Sequence, residues 1–135
     1  MAVQLQAADL TWLTSVPDAQ ARAKKESKLV LLDFTGSDWC GWCIKFKKEV
    51  LTTPEFAEYA AKHLVLVEVD FPRKIEQSDE LKKANKALGG KYKVDGYPTF
   101  VVLNKEGKEI GRQVGYAAGG PEAFIAKLKG FEAKN

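Results

Sequence analysis

An apolar run that reads as a buried strand, Leu29-Val30-Leu31-Leu32-Asp33-Phe34, leads through a short turn into Trp39-Cys40-Gly41-Trp42-Cys43. A helical pattern follows at once. In the stretch from Ile44 to Leu51 the apolar positions recur at three- and four-residue steps. Two cysteines separated by two residues, between a strand and a helix, suit reversible thiol–disulfide chemistry. The first lies at the helix N-terminus, where unpaired N–H groups and the helix dipole favour a thiolate. The second lies one turn later on the same face, close enough to close a disulfide or attack one.

Other uses of the pair fit less well. A structural disulfide closing so small a loop would remove little unfolded-state entropy. A zinc site needs about four ligands, and the chain offers Cys40, Cys43 and the single histidine His63. Haem attachment would need His directly after Cys43, where Ile44 stands. No metal and no bound cofactor are therefore expected. Position assigns Cys40 as the accessible attacking thiolate and Cys43 as the shielded thiol that resolves the mixed disulfide.

Around this centre, Pro17-Asp18 open a helix to about Glu26, and Lys28–Thr35 form a central strand. Residues 1–16 read as a weakly patterned arm, with Leu10, Trp12 and Leu13 as anchors. Thr53-Pro54-Glu55 restarts a helix to about Lys62, which implies a break at Thr52-Thr53. Leu64–Asp70 is a strand, and Phe71–Ile75 a loop. Ser78 caps a helix expected to end at Gly89-Gly90 in a left-handed turn. Thr99–Leu103 and about Lys108–Val114 pair through a hairpin turn, and Pro121-Glu122 start a last helix carrying Phe124. Trp12 and Phe124 are assigned to the core. The order predicts an α/β fold, a central mixed sheet with helices on both faces and an N-terminal extension. One domain is expected, with 1–27 packed on a unit of residues 28–135.

The net charge of +3 is mild and the lysines are scattered, which argues against nucleic-acid binding. Lys45-Phe46-Lys47-Lys48 reads as a solvated face. No apolar run approaches the roughly 20 residues of a membrane span. Met1-Ala2-Val3-Gln4-Leu5 lacks the marks of a signal peptide. Two locations stay open: periplasmic or otherwise exported if a leader has been trimmed, and otherwise cytoplasmic.

Asp33 on its strand, the Cys40/Cys43 pair, Tyr97-Pro98-Thr99 and Val114-Gly115, in that order, make the sequence similar to thioredoxin-fold proteins. The run Phe34-Thr35-Gly36-Ser37-Asp38-Trp39-Cys40 resembles the bacterial thioredoxin-like disulfide reductases and isomerases, many of them exported. That resemblance implies a cis Tyr97–Pro98 bond facing the cysteines, with Tyr97 backbone groups pairing with a bound peptide. It also implies Asp33 as proton acceptor for Cys43 through water. In an apolar strand Asp33 should titrate high, and Glu68 on the neighbouring strand is a second candidate. Trp39, Gly41, Trp42, Tyr97, Pro98, Gly115 and Tyr116 are expected to border a groove for unfolded or peptide substrates.

Three departures from thioredoxin stand out: Gly41-Trp42 between the cysteines, a turn before Cys40 one residue longer, and a longer segment between Asp70 and Pro98. No equivalent of thioredoxin's buried lysine is evident in Leu66-Val67-Glu68. Potentials for such pairs run from about −270 mV in thioredoxin to about −120 mV in DsbA. Trp42, where oxidising proteins often place His, points to the reducing or isomerising end. The leading expectation is a monomeric oxidoreductase acting on protein or peptide disulfides, resupplied with electrons by a redox partner. The alternatives are a redox-sensing or partner-binding module and, more weakly, a glutathione-dependent enzyme.

Overall fold

The computed structural model describes residues 10–134. Of the N-terminal arm, residues 1–9 lie outside the described residues. The elements run β1 Trp12–Leu13, α1 Val16–Glu26, β2 Leu29–Thr35, α2 Gly41–Phe46, a π-helical turn Lys47–Leu51, α3 Pro54–His63, β3 Leu64–Asp70, α4 Asp79–Lys91, β4 Thr99–Leu103, β5 Glu109–Val114 and α5 Gly120–Ala133. The five strands form one sheet in the order β1-β3-β2-β4-β5. β1, β3 and β2 are parallel, and β4 and β5 antiparallel to their neighbours.

β2 has neighbours on both edges and helices on both faces, which explains why all seven of its residues are buried. Alternation along it sorts the core into two layers. Leu29 and Leu31 face a cluster containing Phe46, Val50, Phe56, Phe100, Phe124 and Leu128. Val30, Leu32 and Phe34 face Ala19 and Ala23 of α1, together with Tyr92. Asp33 follows the first parity and so points into the layer that holds the cysteine helix.

Phe46 anchors that helix. It is 1% exposed, with ring centroids 4.8 Å from Phe100 and 5.0 Å from Phe124. Phe46→Ala is expected to cost about 3–5 kcal/mol, read as a lowered urea midpoint. A loss below about 1 kcal/mol would mean the aromatic stack collapses around the gap and does not anchor the helix.

Two sequence expectations change. Part of the arm is a strand: Trp12 and Leu13 pair with Leu66 and Val67. Two residues are too few for a periodic signal, and the pairing exists only once β3 offers its edge. α4 does not stop at Gly89-Gly90 but runs to Lys91, and the left-handed residue is Lys93, at φ 53°. Carrying the helix on brings Tyr92 down into the second core layer, and that burial overrides the glycine stop signal. The expected break at Thr52-Thr53 is present, and the cysteine helix reaches it through the π-helical turn, closed by the Thr52 N–H on the Lys47 carbonyl at 3.0 Å. Thr53 then caps α3 by accepting from the Phe56 N–H.

Candidate active site

The turn between β2 and Cys40 is held from both ends. Gly36 accepts the Trp39 and Cys40 N–H groups at 3.3 and 2.9 Å, and a Cβ at Gly36 would run into the Trp39 indole. Ser37 donates its N–H and its hydroxyl to the Asp70 carboxylate. Asp38 accepts from the backbone N–H groups of Arg73, Lys74 and Ile75 at 2.7–2.9 Å. These amides, Arg73's first, hold the Asp38 carboxyl below the usual carboxylate range. The loop after β3 is thereby strapped to the active-site turn.

Trp39 is locked into the same assembly. Its indole N–H donates to the Phe71 carbonyl at 2.7 Å, the Arg73 guanidinium lies 3.8 Å over its ring, and Tyr97 meets it edge-on at 5.7 Å.

Cys40 takes the N-cap position of α2, and its Sγ accepts the Cys43 N–H at 3.2 Å. The two cysteines form a disulfide with Cα atoms 5.2 Å apart. Sequence reasoning made one thiol open and the other shielded. In this disulfide form both are buried, at 6% and 5% exposure. Their surroundings are what differ. Cys43 lines a cavity of about 70 Å³ shared with Asp33, Glu68, Lys47 and Trp12. Cys40 is not part of that lining and belongs to the rim above it.

That rim closes on itself. Trp39 touches Tyr97, and the Tyr97–Pro98 bond is cis. The Pro98 carbonyl accepts the Gly115 N–H at 2.7 Å, with Gly115 at φ +81°. Tyr116 follows, and its ring lies 5.2 Å from that of Trp42. Lys45 spans this last pair, its Nζ 5.5 Å from the Trp42 ring and 5.0 Å from the Tyr116 ring. The Tyr116 hydroxyl donates to Glu49, which is the main reason its phenol is pushed up. Every groove residue expected from the sequence therefore lies in or beside one circuit around Cys40-Gly41. Trp42 is 58% exposed, so core packing does not explain it, whereas Trp39 is half-buried and structural as well. Tyr97 is spent on Trp39 and Phe71, and burial raises its phenol.

Below the rim, Asp33 is buried with no hydrogen-bond partner for Oδ1. Its carboxyl is pushed up to about 8, first by burial and then by the nearby Glu68 charge. Glu68 is also raised, by burial and by Asp70. The longer turn before Cys40 does not carry Asp33 away from the site, since Asp33 and Cys43 line one cavity.

Sequence reasoning missed three contributors. Lys47, read as part of a solvated face, lines the cavity; its i+4 spacing from Cys43 was the available signal. Trp12, assigned to the core, is half-buried and walls the cavity. Arg73 has no local sequence signal at all. His63, weighed as a metal ligand, stacks on Tyr59 at 4.6 Å.

This arrangement defines a thioredoxin-type redox centre, and the chain belongs to the thioredoxin-like domain family, whose description matches residues 16–132. Disulfide bond reductase DsbH of Chlamydia pneumoniae is 43% identical over 123 residues, 91% of this chain and 73% of that protein. The thioredoxin-related protein DsbJ of the same organism is 34% identical over 76% of this chain, but over only 30% of its own length. A solved structure of a DsbH oxidoreductase superposes with TM-score 0.82 at 38% identity, covering 96% of this chain and 90% of the other. Among the described residues, no helix is long and apolar enough to cross a membrane.

Proposed function

We propose that this chain reduces or isomerises disulfides in proteins or peptides through Cys40 and Cys43. The observation that carries this reading is the unequal placement of the two sulfurs. Cys40 caps a helix inside an aromatic rim, and Cys43 shares a cavity with a buried, proton-hungry carboxyl. Cys40 thiolate attacks a substrate disulfide, forming one S–S bond and releasing one substrate sulfur. Cys43 then gives its proton to Asp33, in the fraction of molecules whose Asp33 carboxyl is ionised, and attacks Cys40, which frees the second substrate sulfur and leaves the Cys40–Cys43 disulfide. A cavity of this size has room for water, which would relay the proton.

Trp42, Tyr116 and the exposed Val114 offer an apolar seat beside the sulfurs, with the Tyr97–Pro98 backbone and Gly115 flanking it. The name of the Chlamydia relative, a disulfide bond reductase, supports the reducing direction. In this reading a second dithiol protein restores the reduced form and no cofactor is required. In the same reading the protein acts as a monomer, in an exported location.

Equilibration against a glutathione redox buffer, together with an insulin-reduction assay, tests this. A potential near about −270 mV with insulin turnover is expected of a reductase. A value near about −120 mV would make the chain an oxidant. Failure to turn over insulin at all would favour a redox-sensing or docking module.

A further inference from the structure

Asp33 and Glu68 are register partners on adjacent parallel strands, so their side chains leave the sheet on the same face, side by side. Glu68 sets a negative charge against Asp33, and Asp70 sets one against both. The Asp70 carboxylate already receives the N–H and hydroxyl of Ser37. Among the described residues, the remaining elements packed here bring no other acid: Cys43 from α2, Phe100 from β4 in register with Asp33, and Trp12 from β1.

Among the described residues, one cation faces this group. Lys47 follows Cys43 by four residues, and the two share the helix face that turns toward Asp33. It stands at the solvent end of the cavity, and its charge opposes the upward push on both Asp33 and Glu68. Among the described residues, no carboxylate forms an ion pair with it.

We propose that Glu68 and Lys47 are positioning residues for the resolving step: Glu68 strengthens Asp33 as a proton acceptor, Lys47 weakens it, and their balance sets the pH at which Cys43 is deprotonated. The inference rests on the thiol–disulfide reading above. Two carboxyls side by side do not both ionise readily, so each keeps its proton to a higher pH than it would alone. In the step itself the Cys43 proton passes to the carboxylate pair. The Cys43 sulfur bonds to the Cys40 sulfur, and the Cys40–substrate bond breaks. The electron pair leaves on the substrate sulfur, which takes a proton from water. No further reactant is needed. The cavity reaches the exposed residues Ile44, Lys47 and Thr52, so the carboxyl proton has a route out to solvent afterwards.

The test uses the whole chain and two readouts. Carbon NMR of aspartate-labelled oxidised protein follows the Asp33 carboxyl directly. Its midpoint should fall by about one pH unit in Glu68→Gln and rise by about half a unit in Lys47→Gln, the smaller change reflecting solvent screening of the exposed cation. The pH profile of the resolving rate, from single-turnover release of a peptide held on Cys40, should move in the same two directions. Glu68→Asp and Lys47→Arg keep the charges and should largely restore both readouts.

Midpoints that stay put, or that move the same way in both variants, overturn the proposal. If Glu68→Gln does not fold, an unchanged midpoint in Lys47→Gln alone overturns it. A wild type that never releases substrate would sink the thiol–disulfide reading instead, while the carboxyl titration still decides whether these two residues act on Asp33.

Discussion

Cys43→Ser is expected to accumulate covalent adducts with substrate proteins, visible as high-mass bands on non-reducing gels, while Cys40→Ser forms none and loses turnover to background. Both variants keep the helix, since serine fills the place of cysteine with little change in volume. They differ in which half of the exchange survives. With Cys43 gone, Cys40 still has the N-cap position and the N–H of residue 43 pointing at its Sγ, a contact that favours the charged form. It attacks, but nothing remains to break the mixed disulfide. With Cys40 gone, the remaining thiol sits against the Asp33 cavity below the rim, where a bulky disulfide cannot approach. Equal trapping in the two variants would reverse or remove the assignment of roles.

Asp33→Asn is expected to separate stability from activity. The wild-type carboxyl titrates at about 8 in the folded chain against 3.8 in its ordinary state. Between those values the folded protein holds a proton that the unfolded chain has released. The unfolded state therefore binds fewer protons, and stability falls as pH rises through the window. The slope from this one group is about 1.4 kcal/mol per pH unit, an upper bound given water in the cavity. Asparagine resembles the protonated acid in shape and has no such slope.

Urea midpoints of the variant and the wild type should therefore nearly coincide at pH 4. By pH 9 the variant should be the more stable by several kcal/mol, at most roughly 5. Parallel curves across the range would show that Asp33 does not carry the raised value. The same change should slow resolution, because Cys43 loses its proton acceptor, so mixed disulfides persist longer in Asp33→Asn than in the wild type. Stability gained at the cost of function is the pattern of a buried charge kept for chemistry.

The helices, strands and cysteine centre were legible because their signals are local. The apolar run in Leu29–Phe34, the caps at Ser78 and Thr53 and the Cys40/Cys43 spacing each depend on neighbours within a turn or a few residues. Asp33 stood out for a similar reason, as a carboxyl in an otherwise apolar strand. The sequence misled where a distant partner outweighed the local signal. Gly89-Gly90 carries a helix stop, but the helix continues because Tyr92 has a core to enter. Lys47 does lie on a solvated face, as its pattern says, and what the pattern could not show is that it also lines the cavity of two carboxyls carried by neighbouring strands.

By itself, then, the sequence determined the α/β order of elements, the redox pair, and an acid that burial would make basic. Those follow from periodicity, caps and transfer costs that act over short stretches of chain. Only the tertiary structure decided that Trp12 becomes an edge strand and cavity wall, that Glu68 lies in register with Asp33, and that one rim runs from Trp39 through Pro98 to Trp42. Such facts need sheet register and side-chain contacts between residues far apart in the chain. They come into being when the layers pack, and no short window of sequence contains them.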